Sequence, residues 1–360
     1  MRVAFALLAA TIAVTAQTPT PLPATRPSFA EFIAGVRSEA LSRGIRQEIL
    51  DPALAIDEPL PIVLERDRTQ AETVLSLEKY IERRLTVKRI RTGHEMLEHH
   101  AELLKKVSDR YGVPPNIVVA IWGVESEYGR LSGIRPTIAA LATLAWDPRR
   151  STFFRGELFD ALEILNRNDI DLEHLKGSWA GAMGQSQFMP SSYLKFAEDF
   201  DGDGRKDIWS TPDDVFASIA NYLKGHGWIA GETWGREVTA APEAAKRIAR
   251  DVAHREGSCK AMRDMTVAQP LTEWQKLGVR LKGGKPLPTA DMEASLVSGS
   301  TRRFLVYRNY DAILEYNCAN AYALGVALLA DRIMGAPAAE PKVSPKKSPS
   351  KKPVRRKRKA

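Results

Sequence analysis

Long apolar segments are scarce in this sequence of 360 residues. Residues 3–14 are almost entirely apolar, but twelve residues are too few to cross a bilayer and suit the central part of a signal peptide. Arg2 precedes this segment and the small residues Thr15 and Ala16 follow it, so we expect residues 1–16 to be a signal peptide. The alternative is a buried N-terminal helix. No later segment is apolar for long enough to cross a membrane, so we expect an exported, soluble protein without a transmembrane anchor.

Cysteine is nearly absent, and the whole sequence contains only Cys259 and Cys318. No cysteine lies near the expected cleavage site, which argues against a lipid anchor attached there. Because export would place the two cysteines in an oxidising compartment, we expect a disulfide between them. The alternative is two buried thiols, since a sequence does not show how close two side chains lie.

Acidic residues are absent from the end of the chain, where residues 341–360 contain ten Lys or Arg. The formal net charge of +8 therefore belongs to this segment, and the rest of the chain carries −2. We expect residues 336–360 to be a disordered basic tail, because a segment with so few apolar residues cannot bury a core. Residues 17–28 are rich in Pro and Thr and are predicted to form an extended linker.

Helical periodicity dominates the middle of the chain. Apolar residues recur every three to four positions through residues 29–112. Further helices are predicted at 115–129, 137–167, 190–198, from residue 212 onward, and at 319–334. Residues 270–310 alternate more regularly and contain turns, which predicts a few short strands, one of them at 304–307. The sequence therefore predicts a mainly α (α+β) protein with a small β-containing C-terminal part.

Several common catalytic motifs are missing. The sequence contains no P-loop, no dinucleotide-binding fingerprint and no Gly-x-Ser-x-Gly nucleophile motif. His94 and Glu95 begin like a zinc-protease helix, but position 98 is Glu where that motif requires a second His. Ser192 and Lys195 have the serine–lysine spacing of penicillin-binding enzymes but lack the partner motifs. We therefore assign no catalytic role to these residues.

The segment Ile121-Trp-Gly-Val-Glu125-Ser-Glu-Tyr-Gly129 places a carboxylic acid on an apolar helix face. Glu125 follows Ile121 by four residues and Val118 by seven, so all three share one face of a helix. A carboxyl group in that position loses hydration, which raises its pKa and makes it a candidate general acid. The alternative is a buried Glu paired with an Arg. Glu127 points elsewhere and is predicted to lie on the surface.

A second segment, residues 177–193, is rich in glycine and in polar side chains. Small residues around Met183 allow close backbone approach, while Ser178 and Gln187 offer hydrogen bonds and Trp179 offers a flat aromatic surface. This combination suits a polar, ring-shaped ligand such as a sugar. The alternative is a Gly-rich connecting loop without a ligand.

Three motifs in this order resemble the lytic murein transglycosylase B family: Gly-Val-Glu-Ser-x-Tyr-Gly, Ala-Gly-Ala-Met-Gly-Gln-x-Gln-Phe-Met-Pro-Ser, and Ala220-Asn-Tyr222. The resemblance covers nearly all of residues 29–335, which we therefore take as the catalytic domain. It implies a lysozyme-like catalytic core, related to goose-type lysozyme, with a flanking helical region.

The resemblance also implies roles for individual residues. The catalytic acid and base of the family falls on Glu125. The positions that bind the saccharide or the peptide stem fall on Ser178, Gln187, Tyr222, Arg149, Arg150, Tyr80, Tyr316 and Tyr322. For the two arginines, a surface pair that caps a helix is the alternative. For the three tyrosines at 80, 316 and 322, core packing is the alternative.

The segment that begins at Asp199 is typical of a calcium-binding loop. Carboxylates or carbonyls at positions 1, 3, 5, 7 and 9, with Gly204 at position 6, match an EF-hand-like loop. The corresponding candidate ligands are Asp199, Asp201, Asp203, Arg205 through its carbonyl, and Asp207. Position 12 is Ser210, and the family loop suggests that Asp213 or Asp214 replaces the usual Glu. A hydrogen-bonded turn without a metal is the alternative to a structural calcium ion.

The reaction implied by the resemblance is non-hydrolytic cleavage of the β-1,4 bond between N-acetylmuramic acid and N-acetylglucosamine, which gives 1,6-anhydromuramoyl products. No catalytic cofactor is expected. A hydrolytic muramidase and a non-catalytic peptidoglycan-binding protein are the alternatives. We expect a periplasmic protein whose partners are peptidoglycan glycan strands, with other cell-wall, divisome or elongation proteins as candidates. Because the basic tail would meet acidic wall or membrane surfaces after export, no nucleic-acid partner is expected.

Overall fold

The computed structural model describes residues 26–69 and 75–335. The expected signal peptide, most of the expected linker and the expected basic tail lie outside these ranges. The helices are α1 (Phe29–Ser42), α2 (Gln47–Ala53), α3 (Pro61–Thr69), α4 (Leu77–Arg84), α5 (Val87–His99), α6 (Ala101–Tyr111), α7 (Pro115–Ser126), α8 (Thr137–Trp146), α9 (Ser151–Asn166), α10 (Pro190–Phe196), α11 (Pro212–Gly225), α12 (Pro242–Asp251), α13 (Lys260–Arg263), α14 (Leu271–Lys276), α15 (Arg308–Tyr316) and α16 (Asn320–Met334). The strands are β1 (Arg135–Pro136), β2 (Lys176–Gly177), β3 (Gly235–Ala240), β4 (Gln269–Pro270), β5 (Val279–Leu281), β6 (Glu293–Ser298) and β7 (Arg303–Val306).

The N-terminal helices α1, α2 and α3 form a helical region beside α8, α9 and α10. α1 begins with a capping box, in which the Ser28 hydroxyl accepts a hydrogen bond from the amide of Glu31 over 3.2 Å. The Glu31 carboxylate in turn accepts one from the amide of Ser28 over 2.8 Å. Buried residues such as Val36, Leu50 and Val63 belong to one apolar core with α8, α9 and α10. This region therefore flanks the centre of the molecule and is held to it by shared burial.

The centre of the molecule is built around α7, which is buried along nearly its whole length. Pro115 is the first residue of α7. Its missing amide hydrogen costs no hydrogen bond, because the first amides of a helix have no partner within the helix. α7 packs against α5, α6, α11 and α16. Because neighbouring helices surround it, a polar side chain on α7 is withdrawn from water and needs a partner inside the protein.

The C-terminal part contains an antiparallel five-stranded sheet with the strand order β4-β6-β7-β3-β5. Leu296 of β6 pairs with Leu305 of β7, and Val238 of β3 pairs with Leu281 of β5. Residues from this sheet, α12 and α14 form a third apolar core around Trp274. The expected fold class, mainly α with a small β-containing C-terminal part, is confirmed.

Residues 137–167, which were expected to be one helical stretch, contain two helices. α8 and α9 are separated by residues 147–150. Here a carboxylate oxygen of Asp147 accepts a hydrogen bond from the amide of Arg149 over 3.1 Å. Pro148 between them has no amide hydrogen to donate. A side chain that bonds its own local backbone competes with the helix, and this explains the break.

Cys259 and Cys318 are joined in the structure, with their Cα atoms 6.4 Å apart. This separation lies within the range that disulfides span. The bridge links the residue that precedes α13 to the turn between α15 and α16. It therefore ties the start of α16 to the C-terminal β-containing part.

In the described residues, no single helix is both long enough and apolar enough to cross a membrane. α15 and α16 pass that test only as a pair, and they meet at an angle of 114°.

Candidate active site

Glu125 is the penultimate residue of α7. Burial raises the pKa of its carboxyl group to about 7, because the charged form loses hydration. The Tyr322 hydroxyl and, to a smaller extent, the Arg84 guanidinium act in the opposite direction and limit this rise. A large fraction of the Glu125 carboxyl is therefore protonated near neutral pH, and the group can both donate and take back a proton.

Tyr322 lies near the beginning of α16 and is 3% exposed. Its hydroxyl donates a hydrogen bond to Oε1 of Glu125 over 2.5 Å. Burial, together with the nearby Glu125 carboxyl, holds the pKa of Tyr322 well above its ordinary value. The hydroxyl therefore keeps its proton and stabilises the Glu125 carboxylate once that group has given up its own.

α4 brings one cation and one further tyrosine to this site. The guanidinium carbon of Arg84 lies 5.1 Å from the centre of the Tyr80 ring. Tyr80 packs closely against α16, because a Cβ added to Gly325 would lie only 3.2 Å from its ring. Tyr80 also acts electrostatically on Tyr322, and Arg84 acts on Glu125. Packing of α4 on α16 therefore gathers these four side chains in one place.

The Gly-rich segment forms a tight loop after β2. The Ser178 hydroxyl oxygen accepts hydrogen bonds from the amides of Ala180 and Ala182, over 3.3 and 3.1 Å. Gly184 has a φ of 63°, and a Cβ there would lie 2.6 Å from the carbonyl oxygen of Ile208. Only glycine tolerates both the backbone conformation and the close approach.

Gln187 lies in the same loop and has a φ of 53°, which is uncommon for a residue with a side chain. Its side-chain amide (Nε2) donates to the carbonyl of Gly184 over 2.8 Å and to that of Ser132 over 3.2 Å. The bond to Ser132 fastens the loop to the segment that follows the end of α7, and the bond to Gly184 lies within the loop. Backbone strain of this kind is stored where the surrounding structure must hold a group in place.

Tyr222 and Tyr316 form an aromatic cluster with the Gly-rich loop. Their ring centres are 4.7 Å apart, and the Phe188 ring lies 5.4 Å from Tyr222 and 5.8 Å from Tyr316. The Tyr316 hydroxyl donates to the carbonyl of Ser186 over 2.7 Å. The Tyr222 hydroxyl donates to the carbonyl of Glu315, also over 2.7 Å. Both tyrosines therefore fix the backbone around the site, whatever contacts their rings make with a ligand.

The sequence analysis missed two residues of this site, Gln185 and Arg84. The Gln185 side chain accepts a hydrogen bond from the Trp122 indole over 2.8 Å and donates one to the carbonyl of Trp209 over 2.7 Å. It thereby joins α7 to the Gly-rich loop. Its place between Gly184 and Gln187 was a signal that could have identified it. Arg84 has no such local signal, because its contact with Glu125 arises only from the packing of α4.

Arg149 and Arg150 pair with an acid that is not among the groups acting on Glu125. Both pair with the buried carboxylate of Asp67, Arg149 over 3.2 Å and Arg150 through a short hydrogen bond. Arg149 also donates to the carbonyl of Asp67 over 3.0 Å. Each guanidinium side chain is 46% exposed, so part of it faces solvent. The cation that acts on Glu125 is Arg84 instead.

Three carboxylates of the candidate calcium loop converge. Oxygen atoms of Asp199, Asp201 and Asp203 lie within 4.8 Å of one another, which suits a single hard cation. Asp207 instead accepts hydrogen bonds from the amides of Trp209 and Ser210, over 2.8 and 2.9 Å. The loop therefore offers three converging acids, and Asp207 shapes the turn that follows.

Asp214, the candidate replacement for the twelfth ligand, lies on α11 and is 1% exposed. Its two oxygens accept hydrogen bonds from the amides of Phe200 and Asp207, each over 2.7 Å. Burial, with the nearby Asp199 and Asp201 carboxylates, raises its pKa to about 6. Asp214 therefore clamps the two ends of the loop, and a cation beside it would relieve the repulsion among these acids.

Comparison with a family model assigns residues 28–331 to the transglycosylase SLT domain. The chain is also 38% identical over 216 residues to membrane-bound lytic murein transglycosylase B of Escherichia coli strain K12. That alignment covers 58% of this chain and 60% of the relative. The matched part is therefore less than two thirds of the relative's length.

Solved structures give the same picture for the fold. Pseudomonas aeruginosa SltB3 in complex with NAG-anhNAM-pentapeptide has 42% sequence identity and a TM-score of 0.77, covering 86% of this chain and 80% of that one. The Escherichia coli lytic transglycosylase Slt35 in complex with calcium has 29% identity and a TM-score of 0.68, covering 86% and 94%. The expectation of a lysozyme-like transglycosylase fold is confirmed, and the chain belongs to the transglycosylase SLT domain family.

Proposed function

We propose that this protein is a lytic transglycosylase of peptidoglycan. It cleaves the β-1,4 bond between N-acetylmuramic acid and N-acetylglucosamine without water and leaves a 1,6-anhydromuramoyl end. The observation that carries the proposal is the Glu125 carboxyl, with a pKa of about 7 and a 2.5 Å hydrogen bond from Tyr322. A group that is half protonated near neutral pH serves as acid and base in one cycle.

The first step is protonation of the glycosidic oxygen. Glu125 gives its proton to this oxygen while the bond to C1 of the muramoyl sugar breaks, and N-acetylglucosamine leaves with a free hydroxyl group. The Tyr322 hydrogen bond and the Arg84 guanidinium both favour the carboxylate that results. The positive charge that develops at C1 requires an electron donor, and the N-acetyl carbonyl of the substrate supplies it.

The second step closes a ring within the substrate. The Glu125 carboxylate takes the proton of the muramoyl 6-hydroxyl, whose oxygen forms a new bond to C1. One C–O bond breaks and one forms, and Glu125 regains its proton. The groups that act on Glu125 are a phenol and a guanidinium, not a second carboxylate. This favours an internal nucleophile over the pair of acids that most hydrolytic glycosidases use.

The loop and aromatic residues form the proposed glycan-binding groove. Gln185 joins the Gly-rich loop to α7, and the tyrosine cluster fastens it to α15. We propose that the glycan strand and its peptide contact the residues that family resemblance indicates, namely Ser178, Gln187, Tyr222, Arg149, Arg150, Tyr80, Tyr316 and Tyr322. SltB3 was solved with NAG-anhNAM-pentapeptide, a fragment that carries the anhydromuramoyl end expected here.

We also propose that the Asp199 loop binds a structural calcium ion. The three converging carboxylates and the buried acid Asp214 beside them support this assignment. Slt35 was solved in complex with calcium. The ion would stabilise the loop before α11, and no step of the reaction passes through it.

The protein is proposed to act in the periplasm. Residues 1–16 have the composition of a signal peptide, which supports export. The Escherichia coli relative is, by its name, membrane-bound. Attachment to a membrane is therefore a separate question from the compartment in which the protein acts. Fractionation of cells that express the full chain would locate it.

The direct test of the function is release of soluble fragments from purified peptidoglycan. We expect the wild-type protein to release them and Glu125→Gln to release on the order of a hundredfold less or lower still, because its only proton donor is gone. Glu102→Gln changes an exposed carboxyl on α6 and serves as the matched control. Equal release by Glu125→Gln would contradict the assignment of the acid. Sacculus binding without any release by the wild type would favour a non-catalytic binding protein.

A further inference from the structure

A basic pocket of about 270 Å³ lies beside the C-terminal end of α7. Its charged lining residues are Arg83, Lys88, Arg89, Arg130 and Glu127. Four cations against one carboxylate leave an excess of three positive charges around a small volume. Charges of one sign in a cleft concentrate ligands of the opposite sign.

The single carboxylate pairs only loosely with its neighbours. Glu127 lies 3.5 Å from the Arg89 guanidinium and 3.9 Å from that of Arg130. Both distances exceed the range of about 2.7–2.9 Å that strong charge-assisted hydrogen bonds show. Within residues 26–69 and 75–335, Arg83 and Lys88 form no ion pair. The pocket therefore retains the capacity to bind an incoming anion.

The pocket is held in shape by its surroundings. The Tyr128 hydroxyl donates to the carbonyl of Arg89 over 2.7 Å, and its ring packs against Gly123, where an added Cβ would lie 2.4 Å from it. Glu127 and Tyr128 have φ values of 51° and 60°, which residues with a Cβ adopt only when packing holds them there. The N-terminus of α5 also faces the pocket, and its helix dipole favours an anion.

The pocket and the proposed catalytic site share two chain segments. Glu125 and Glu127 are two residues apart, so their Cα atoms are separated by at most about 7.6 Å. On α4, Arg84 acts on Glu125 and the preceding residue, Arg83, lines the pocket. The Arg89 guanidinium donates to the carbonyl of Arg84 over 3.3 Å. The pocket therefore adjoins the two chain segments that carry Glu125 and Arg84.

We propose that this basic pocket binds a carboxylate of the peptide stem of peptidoglycan, so that the protein prefers glycan whose muramoyl residues carry peptides. The inference rests on the proposed function, because the reacting muramoyl sugar must lie against Glu125 and carries the stem itself. An extended pentapeptide spans about 17 Å, which is enough to reach the pocket. Arg149 and Arg150 are less free to bind such a carboxylate, since both already pair with Asp67.

The test is calorimetric binding to the Glu125→Gln protein, which keeps the pocket and does not consume the ligand. The two probes are NAG-anhNAM-pentapeptide and NAG-anhNAM without peptide. We expect the form with the pentapeptide to bind about tenfold tighter or more than the form without it. One charge-assisted hydrogen bond is sufficient for a difference of this size. Adding Arg83→Ala with Lys88→Ala should remove most of that ratio, and raising the salt concentration should lower it.

A matched control removes two remote surface cations by Lys246→Ala with Lys276→Ala and should leave the ratio unchanged. Thermal melts check that every variant is folded, which is expected because Arg83 and Lys88 are exposed. Equal binding of the two probes to the Glu125→Gln protein would overturn the inference and leave the proposed function intact. If neither probe binds and the wild type releases no fragments, the proposed function fails. If inorganic phosphate removes the ratio as readily as free pentapeptide does, the pocket is a general anion site and stem recognition is refuted.

Discussion

The Tyr322 hydroxyl lies 2.5 Å from Oε1 of Glu125, although the two residues are 197 positions apart in the chain. Packing of α16 against α7 brings them together. The hydrogen bond joins a buried donor to a carboxyl whose pKa is about 7. Its strength changes with the charge on Glu125, and this links the geometry of the site to its pH dependence.

Tyr322→Phe should shift the pH profile of the reaction to higher pH. The hydroxyl stabilises the Glu125 carboxylate, so its removal raises the pKa of Glu125 further. The decline of kcat on the alkaline side, expected near pH 7 in the wild type, should then begin at a higher pH, and the maximal kcat should fall about tenfold or more. Rates of fragment release measured from pH 5 to 9 test this.

The matched control is Tyr193→Phe, which removes a buried phenol that donates to the carbonyl of Lys206 over 3.0 Å. It should leave the pH profile in place. A profile for Tyr322→Phe that coincides with that of Tyr193→Phe would show that the bond to Glu125 has no part in the proton transfer.

Glu125→Gln should stabilise the fold at neutral pH and not at acidic pH. The folded pKa is about 7 against an ordinary value of 4.5, so the unfolded chain binds fewer protons between these values. Wild-type stability therefore falls as the pH rises from about 4.5 to about 7 and stays low above that. Glutamine carries no charge and avoids the loss, which amounts to at most about 3 kcal/mol.

Denaturant unfolding of both proteins at pH 4 and pH 8 measures this difference. The exposed substitution Glu102→Gln is the control and should give a similar free energy of unfolding to the wild type at both pH values. A gain for Glu125→Gln that is equal at pH 4 and pH 8 would contradict a carboxyl whose pKa is raised by loss of hydration.

Gly123→Ala should destabilise the protein by about 1–3 kcal/mol, although alanine is normally the better residue in a helix. An added Cβ would lie 2.4 Å from Cε1 of Tyr128, and both are tightly packed. Gly156→Ala on α9 is the control, because nothing lies within 4 Å of its added Cβ. We expect that variant to be up to about 1 kcal/mol more stable than the wild type. Thermal melts of the two variants should therefore shift in opposite directions, and equal shifts would refute the steric argument.

Calcium should raise the melting temperature of the protein. An ion that binds only the folded state stabilises it by about 2.7 kcal/mol at a hundred times its Kd. Asp201→Ala with Asp203→Ala removes two of the three converging carboxylates and should abolish the increase. Melts in calcium and in chelator test the site, and identical curves for the wild type would remove the metal from this account. Glu243→Ala with Glu273→Ala, on remote helices, should keep the response.

The sequence was sufficient to predict the features that depend on local pattern. The spacing of apolar residues placed Glu125 on the apolar face of a helix, which is α7. The alternation of residues 270–310 predicted a strand at 304–307, where β7 forms. The shared motifs led to the family and to the Gly-rich loop. These predictions succeed because each depends on residues that are neighbours in the chain.

What the sequence did not predict depends on contacts between distant segments. Arg84 acts on Glu125 only because α4 packs against α16. Asp67 forms ion pairs with both Arg149 and Arg150 because α3 packs against α8. The break between α8 and α9 was also missed, although Asp147 and Pro148 were local signals for it. β3 was not predicted, since its register is set by two partner strands from other parts of the chain.

The most direct test of the central claim is the source of the oxygen on C1 of the muramoyl product. Peptidoglycan is digested in water labelled with heavy oxygen, and the fragments are weighed by mass spectrometry. Transglycosylation by Glu125 uses the muramoyl 6-hydroxyl, so the account predicts anhydro products that lack one water and contain no label. Products with a reducing end and one labelled oxygen would show that water attacks C1, and the protein would then be a hydrolase.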